Sequence, residues 1–288
     1  MTTLKNGATP KSQTSRNKLI GNKMRAISRH LNFVPLMFLL VPLSLYAQNF
    51  WEQANGPFGG TVPALAINSS GDIFAGTDAS GVFRSTDNGN NWTQISNGLP
   101  IGVSVLSLAI NSSGNIFAGT DGSGIFRSTD NGNNWTQINS GLTNLYVFSL
   151  AINGDGDIFA GTNSNGVFRS TNNGNIWTQT GLTNVRVLSL AINDSGDIFA
   201  GTDEEFTSRP NDAGVFRSTD NGNNWTRMGL TSVYSLAINS NGDIFAGTEE
   251  FTNRPNDGGV FRSTDNGNNW ARNGLNDRFV YSLAINSK

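Results

Sequence analysis

An eight-residue stretch, Ser85-Thr-Asp87-Asn-Gly89-Asn-Asn-Trp92, returns intact at residues 128–135, 218–225 and 263–270. A fifth copy, at residues 170–177, carries Asn172 where the others carry Asp. Each follows the lead-in Gly-Val/Ile-Phe-Arg, and the Trp residues are spaced by 43, 42, 48 and 45 positions. A repeat of that length is the unit of a propeller or a solenoid, because one unit alone has nothing to bury its apolar face against. In the first unit the pieces are Ala64-Leu-Ala-Ile-Asn68, Ile73-Phe-Ala-Gly-Thr77, Gly81-Val-Phe-Arg-Ser85 and Trp92-Thr-Gln-Ile95. All four are of strand length and are bounded by turn residues.

The pattern predicts an all-β fold, a β-propeller whose blades are four-stranded antiparallel sheets with strands A to D. A parallel β-helix is the rival, but its coils are shorter and carry no hairpin at this spacing. Five units are complete. An orphan D-like strand at Phe50 to Gln53 and an orphan A-like strand at Tyr281 to Ile285 flank them. Two closures follow: five blades with overhanging strands, or an incomplete six- or seven-bladed ring. An unclosed ring exposes strand edges, which a homo-oligomer would cover.

Residues 1–47 hold seven Lys or Arg and no acid, and end in an apolar run from Leu31 to Ala47. That is the layout of an N-terminal extension plus secretory signal peptide, with cleavage after Ala47 and Met24 as the expected true start. A transmembrane anchor is the alternative, against which the run is short and broken by Pro35 and Pro42. The propeller domain is then 48–288, in the periplasm, at the cell surface or secreted. It has 12 basic against 21 acidic residues, a formal charge of −9. Nucleic acid and anionic membrane are poor partners for such a surface. The one histidine, His30, is in the leader and there is no cysteine, so Ser-His-Asp, Cys-His and the usual zinc chemistries are excluded.

In the repeated box, Asp87 is placed to accept backbone N–H bonds across the C–D turn, and Gly89 supplies a conformation a β-carbon penalises. Trp92 offers an apolar plate to a neighbouring strand or blade. The same roles fall to Asp130, Gly132 and Trp135, to Asn172, Gly174 and Trp177, to Asp220, Gly222 and Trp225, and to Asp265, Gly267 and Trp270. This motif resembles the Asp-box, or BNR repeat. The chain is similar after residue 50 to the propellers that carry it: sialidases, sortilin-type ectodomains, xyloglucan-cleaving glycosidases and photosystem II assembly-factor-like proteins. The resemblance implies that the box is structural, on the rim and away from any active site.

A sialidase would need a converging arginine cluster. The arginines here are repeat copies, Arg84, Arg127, Arg169, Arg217 and Arg262, one per blade. A two-carboxylate glycosidase would draw on acids outside the repeat, namely Asp155, Asp194, Asp203, Glu204, Glu205, Asp212, Glu249, Glu250, Asp257 or Asp277. Two insertions between strands B and C, at residues 203–213 and 249–258, are the strongest local signal, since insertions on one face of a repeat protein build binding surfaces. They place Glu204, Glu205, Phe206 and Arg209 beside Glu249, Glu250, Phe251 and Arg254 as the expected binding residues. No catalytic residue is singled out and no cofactor is expected. Calcium is considered at Asn153-Gly-Asp155-Gly-Asp157, which lacks the closing Glu of an EF-hand. The balance falls on a non-catalytic exported module or scaffold that binds a protein or glycan, against an enzyme. The alternative is a secreted glycoside hydrolase using a non-repeat Asp/Glu pair.

Overall fold

The computed structural model describes residues 56–57, 60–203, 213–249 and 258–285. The expected leader 1–47 with Met24, the expected strand at Phe50 to Gln53 and most of both insertions lie outside them. The blades all lie in the unit Glu52–Lys288. Blade 1 is β1 (Ala64–Ile67), β2 (Ile73–Thr77), β3 (Gly81–Ser85) and β4 (Thr93–Gln94). Blade 2 is β5 (Val105–Ile110), β6 (Ile116–Thr120), β7 (Ile125–Ser128) and β8 (Thr136–Gln137). Blade 3 is β9 (Val147–Ile152), β10 (Ile158–Thr162), β11 (Val167–Ser170) and β12 (Thr178–Gln179). Blade 4 is β13 (Val187–Ile192), β14 (Ile198–Thr202), β15 (Gly214–Ser218) and β16 (Thr226–Arg227). Blade 5 is β17 (Val233–Ile238), β18 (Ile244–Thr248), β19 (Gly259–Ser263) and β20 (Ala271–Arg272).

Each sheet is a four-stranded antiparallel meander in sequence order. The expected blades are therefore present, five complete, as a propeller with a partial extra blade. A meander puts alternate turns at opposite ends of its strands. The A–B turns and the boxes share one face, and the B–C turns and D–A connections share the other.

The core lies between blades. One cluster joins Phe74, Val82 and Ile95 of blade 1 to Val105, Ile116, Phe126 and Trp135 of blade 2, and equivalent clusters follow at later joints. The Ala-Gly pair of strand B explains how close the blades come. A β-carbon on Gly161 would sit 2.7 Å from Val187 Cγ1 of the next blade. Leu65 and Ile67 are each 66% exposed, and among the described residues no strand precedes β1. Their counterparts Leu108 and Ile110 pack against the core.

Residues 280–285 continue the inner ring. A β-carbon on Gly247 would sit 2.7 Å from Val280 Cγ1, as one on Gly201 would sit 2.8 Å from Val233 Cγ1. The amide of Leu283 donates to Ser235 Oγ (2.9 Å), as that of Leu236 donates to Ser189 Oγ (3.0 Å). The segment expected as an orphan A-like strand is thus docked in the position of a sixth strand A, but it pairs with no strand among the described residues and is not itself one.

Gly141 and Gly114 separate the cost of backbone strain from that of blade packing. Both have positive φ, +85° and +79°. A β-carbon at Gly114 meets nothing within 4 Å, whereas at Gly141 it would lie 2.1 Å from the Trp177 carbonyl oxygen of the next blade. Gly114→Ala is expected to cost about 1 kcal/mol from φ alone. Gly141→Ala adds about 2 kcal/mol of overpacking. Equal denaturation midpoints for the two variants would contradict the packing described here.

Candidate functional site

The box face is built for holding blades together. Ser128 Oγ donates to Asp130 Oδ1 (2.8 Å) and accepts from the Gly132 amide (2.9 Å). Asp130 Oδ1 also accepts from the Asn134 amide (2.9 Å), and its Oδ2 accepts from Asn134 Nδ2 (2.7 Å). The boxes at Asp87, Asp220 and Asp265 repeat this. In the third box Asn172 Oδ1 still accepts from the Ile176 amide (2.9 Å). Ile176 replaces the partner asparagine, so the local loss is larger than Asn172 alone implies.

The residue between Asp and Gly makes the joint. Asn131, Asn173, Asn221 and Asn266 all have φ near +60°, which Asn tolerates better than most side chains. Asn131 Oδ1 accepts from Asn68 Nδ2 of the preceding blade (3.1 Å), and its Nδ2 donates to Asp72 (2.8 Å). Its carbonyl accepts from Arg84 (2.9 Å). Arg127, Arg169 and Arg217 make the same reach. These four repeated arginines are therefore clamps between blades, a role their position before the box did not reveal, while Arg262 pairs with Asp243 of its own blade. Indole N–H groups of Trp135, Trp177 and Trp270 donate to carbonyls of the preceding blade, at Ile95, Ile138 and Met228. Trp92 and Trp225 bond within their own boxes instead.

Asp155 and Asp157 do not converge on a cation. Asp157 pairs with Arg169 at 2.5 Å, and the Asp155 backbone amide donates to Asn153 Oδ1 (3.1 Å). Among the described residues no three acidic or histidine side chains group as metal ligands.

Hydrogen bonds from Asn91, Asn134 and Asn269 side chains lead the causes that hold Asp87, Asp130 and Asp265 below the usual carboxylate range; for Asp220 the Asn224 amide leads. Depressed folded-state values mean that this stabilisation is complete above the unfolded value of 3.8 and is lost as pH falls through the folded values. Acid titration of tryptophan fluorescence should show weakening that begins near pH 3.8 and continues downward. A variant with all four Asp changed to Asn should lose part of that slope, the rest belonging to carboxylates such as Asp243, which Asn239 and Arg262 also hold low; an unchanged slope would contradict the assignment.

The opposite face differs, because its side chains do not repeat. The position after strand B is Asp78, Asp121, Asn163, Asp203 and Glu249 in successive blades. At blades 4 and 5 these acids meet other non-repeat groups. Arg186 Nε donates to Asp203 Oδ1 (2.9 Å) and its Nη2 pairs with Oδ2, burying both side chains to 13% and 2% exposure. The Tyr234 hydroxyl donates to Glu249 Oε2. Burial first, then the hydrogen bond and charge of Glu249 and the charge of Asp203, raise the Tyr234 phenol well above its ordinary value, so it stays a donor. Tyr281 stands edge-on to Tyr234, with ring centroids 5.5 Å apart, and stacks on Phe279 at 5.9 Å. Tyr281 and Phe279 are 68% and 49% exposed. An open aromatic shelf therefore adjoins two carboxylates, a phenol and a guanidinium.

Of the expected binding residues, Glu249 is in this cluster. Glu204, Glu205, Phe206, Arg209, Glu250, Phe251 and Arg254 lie outside the described residues. Asp203 begins one insertion, and Tyr234 and Tyr281 were legible only as tyrosines breaking the strand-A pattern. At the centre of the ring a cavity of about 410 Å³ is lined by groups such as Leu65, Leu108, Ser149, Leu150 and Leu283, without a charged side chain. The clefts on the box face are lined by repeat turns such as Asn193 to Ser195 and Asn239 to Gly242.

A family model described as the DUF6242 beta propeller domain matches residues 49–188. No curated protein matches the chain. Among solved structures, an ancestral GH74 enzyme is 22% identical, with 78% of this chain and 33% of that chain covered and a TM-score of 0.59. The Niastella koreensis GH74 enzyme is also 22% identical, over 76% of this chain and 38% of its own, with a TM-score of 0.58. The extracellular domain of a putative one-component system from B. thetaiotaomicron is 18% identical, over 82% and 31%, with a TM-score of 0.60. The fold is a β-propeller. The chain spans about a third of the length of the GH74 structures it matches. These likenesses overturn the expectation that the balance falls against an enzyme: GH74 enzymes are built on this fold, so a repetitive propeller is no ground for excluding catalysis. No helix among the described residues is long and apolar enough to cross a membrane.

Proposed function

We propose that the chain is an exported carbohydrate-active propeller, a glycoside hydrolase that holds a glycan on the face opposite the boxes. The observation that carries this reading is the Tyr234–Glu249 hydrogen bond beside the exposed Tyr281 and Phe279 rings. Aromatic rings present an apolar face with a wet edge, which suits a sugar. Glu249 keeps one oxygen free of Tyr234 and is the residue that transfers the proton to the glycosidic oxygen. Water attacks the anomeric carbon as the protonated alcohol leaves, and its proton returns to Glu249. Asp203, buried and clamped by Arg186, is a positioning residue beside Glu249 and takes no part in the bond exchange. The basic, apolar leader of residues 1–47 and the −9 charge of the rest support export and a partner that is a neutral glycan. The GH74 likeness supports the same substrate class.

The test is to incubate the purified protein with a panel of β-linked glucans and xyloglucan and follow new reducing ends. Hydrolysis that disappears in Glu249→Gln supports the reading. Hydrolysis untouched by Glu249→Gln, or none across the panel, sinks it.

A further inference from the structure

The residue before strand A varies from joint to joint. It is Ser104, Tyr146, Arg186, Ser232 and Phe279 in turn. Ser104 donates to Asp78 of the preceding blade, Arg186 pairs with Asp203, and Ser232 is fully buried. Tyr146 does none of this and is 47% exposed. Its counterpart is Phe279 of the aromatic shelf. Residues 146–152 read Tyr-Val-Phe-Ser-Leu-Ala-Ile and residues 279–285 read Phe-Val-Tyr-Ser-Leu-Ala-Ile, so an aromatic-Val-aromatic pattern occurs at these two joints alone.

The Tyr146 ring is held against one turn and its backbone is tied to another. A β-carbon on Gly122, in the B–C turn of blade 2, would lie 3.4 Å from Cε1 and Cζ of the ring. The bare glycine lets the ring approach the turn, and its φ of +84° suits glycine without strain. The Tyr146 amide donates to Asn144 Oδ1 (3.0 Å), and its carbonyl accepts from the Asn163 amide (3.1 Å). Asn144 Nδ2 donates in turn to Ser164 Oγ (2.9 Å) in the B–C turn of blade 3. Polar groups of two turns therefore surround an exposed aromatic whose backbone is already fixed, so little ordering is needed on binding.

We propose that Tyr146 is the platform of a second sugar site, which holds a neutral glycan at the joint of blades 2 and 3 without cleaving it. The ring suits the apolar face of a pyranose. The Asp121 carboxylate is exposed, has no partner among the described residues, and accepts from sugar hydroxyls. Asp121 follows β6 as Glu249 follows β18. The tyrosine that donates to Glu249 has no counterpart here, because Leu106 occupies the place of Tyr234. The site therefore binds with no positioned proton donor. Its ligand class rests on the glycan reading above, but the site is independent of cleavage at Glu249.

Native electrophoresis of the full chain in gels containing xyloglucan or mixed-linkage β-glucan reads binding as retardation. The double variant Glu249→Gln with Tyr281→Ala disables the shelf and should still be retarded. Adding Tyr146→Ala should raise its dissociation constant about tenfold or more. Tyr146→Phe, which keeps the ring, should leave retardation in place. Asp121→Ala should weaken it as well and, being an exposed change, keeps the test decisive if Tyr146→Ala misfolds. Retardation that vanishes once the shelf is disabled overturns this site and leaves the glycan reading standing. Equal retardation after Tyr146→Ala in a folded variant, or after Asp121→Ala, overturns it too. No retardation of the wild-type chain in either gel overturns both. Release of reducing ends is followed separately, so retardation through Tyr146 without hydrolysis keeps this site and sinks Glu249 as the donor.

Discussion

Replacing Arg186 by Met is expected to destabilise the protein by about 3–5 kcal/mol, the cost of leaving a buried carboxylate without its cation. Asp203 is 1% exposed, and both its oxygens face Arg186. Methionine keeps much of the volume of the arginine stem, so the loss is one of charge rather than packing. Most of it should return in the double variant Arg186→Met with Asp203→Asn, since no uncompensated charge is then buried. Urea denaturation of the four members of that cycle gives the coupling directly. If the two single variants are each neutral, the pair is not buried as described. The pair also sits between the first residue beyond β14 and the residue preceding β13. Its rupture should therefore loosen the shelf before the remaining blades.

Glu249→Gln is expected to lower turnover on any glycan that the protein cleaves by about 10²–10⁴-fold, the range for removing a positioned proton donor. Glutamine retains an oxygen to accept the Tyr234 hydroxyl, so the hydrogen bond and the tyrosine's place against Tyr281 survive. Binding of the intact glycan should change little, which separates proton transfer from simple contact. Tyr281→Ala should act in the opposite way. It removes the exposed ring of the shelf and should raise KM more than it lowers kcat. A Glu249→Gln variant that loses binding in proportion to turnover would make Glu249 a ligand contact and no proton donor.

The repeat made the blade legible because every level of the sequence agreed. Alternation, turn residues and the Asp–Gly–Trp spacing all specify the same four strands, and those strands are present. Partnerships between blades were less legible. Nothing in Gly-Val-Phe-Arg-Ser says that Arg84 reaches a carbonyl 47 residues away. The Asn preceding each box glycine looked like one more turn residue, although its positive φ and its bonds to Asn68 and Asp72 make it the joint itself. The site was hidden for another reason. Arg186, Asp203, Tyr234 and Glu249 are scattered over 64 positions and belong to no motif. They meet only because equivalent strand ends of adjacent blades share one face. The usable signal was departure from the repeat: a tyrosine in strand A where Leu or Phe stands elsewhere, and an acid that opens each insertion.

The two faces of the propeller divide the labour in the reading proposed. The box face joins blades, and the opposite face is the one proposed to meet the ligand. Hydrogen exchange of the protein with and without a xyloglucan oligosaccharide, or whichever glycan the panel identifies, tests this most directly. Added protection is expected at residues 202–203, 233–235, 248–249 and 279–283, with the five boxes unchanged. Protection centred on residues 85–92 and their four copies, with those segments unaltered, would contradict it.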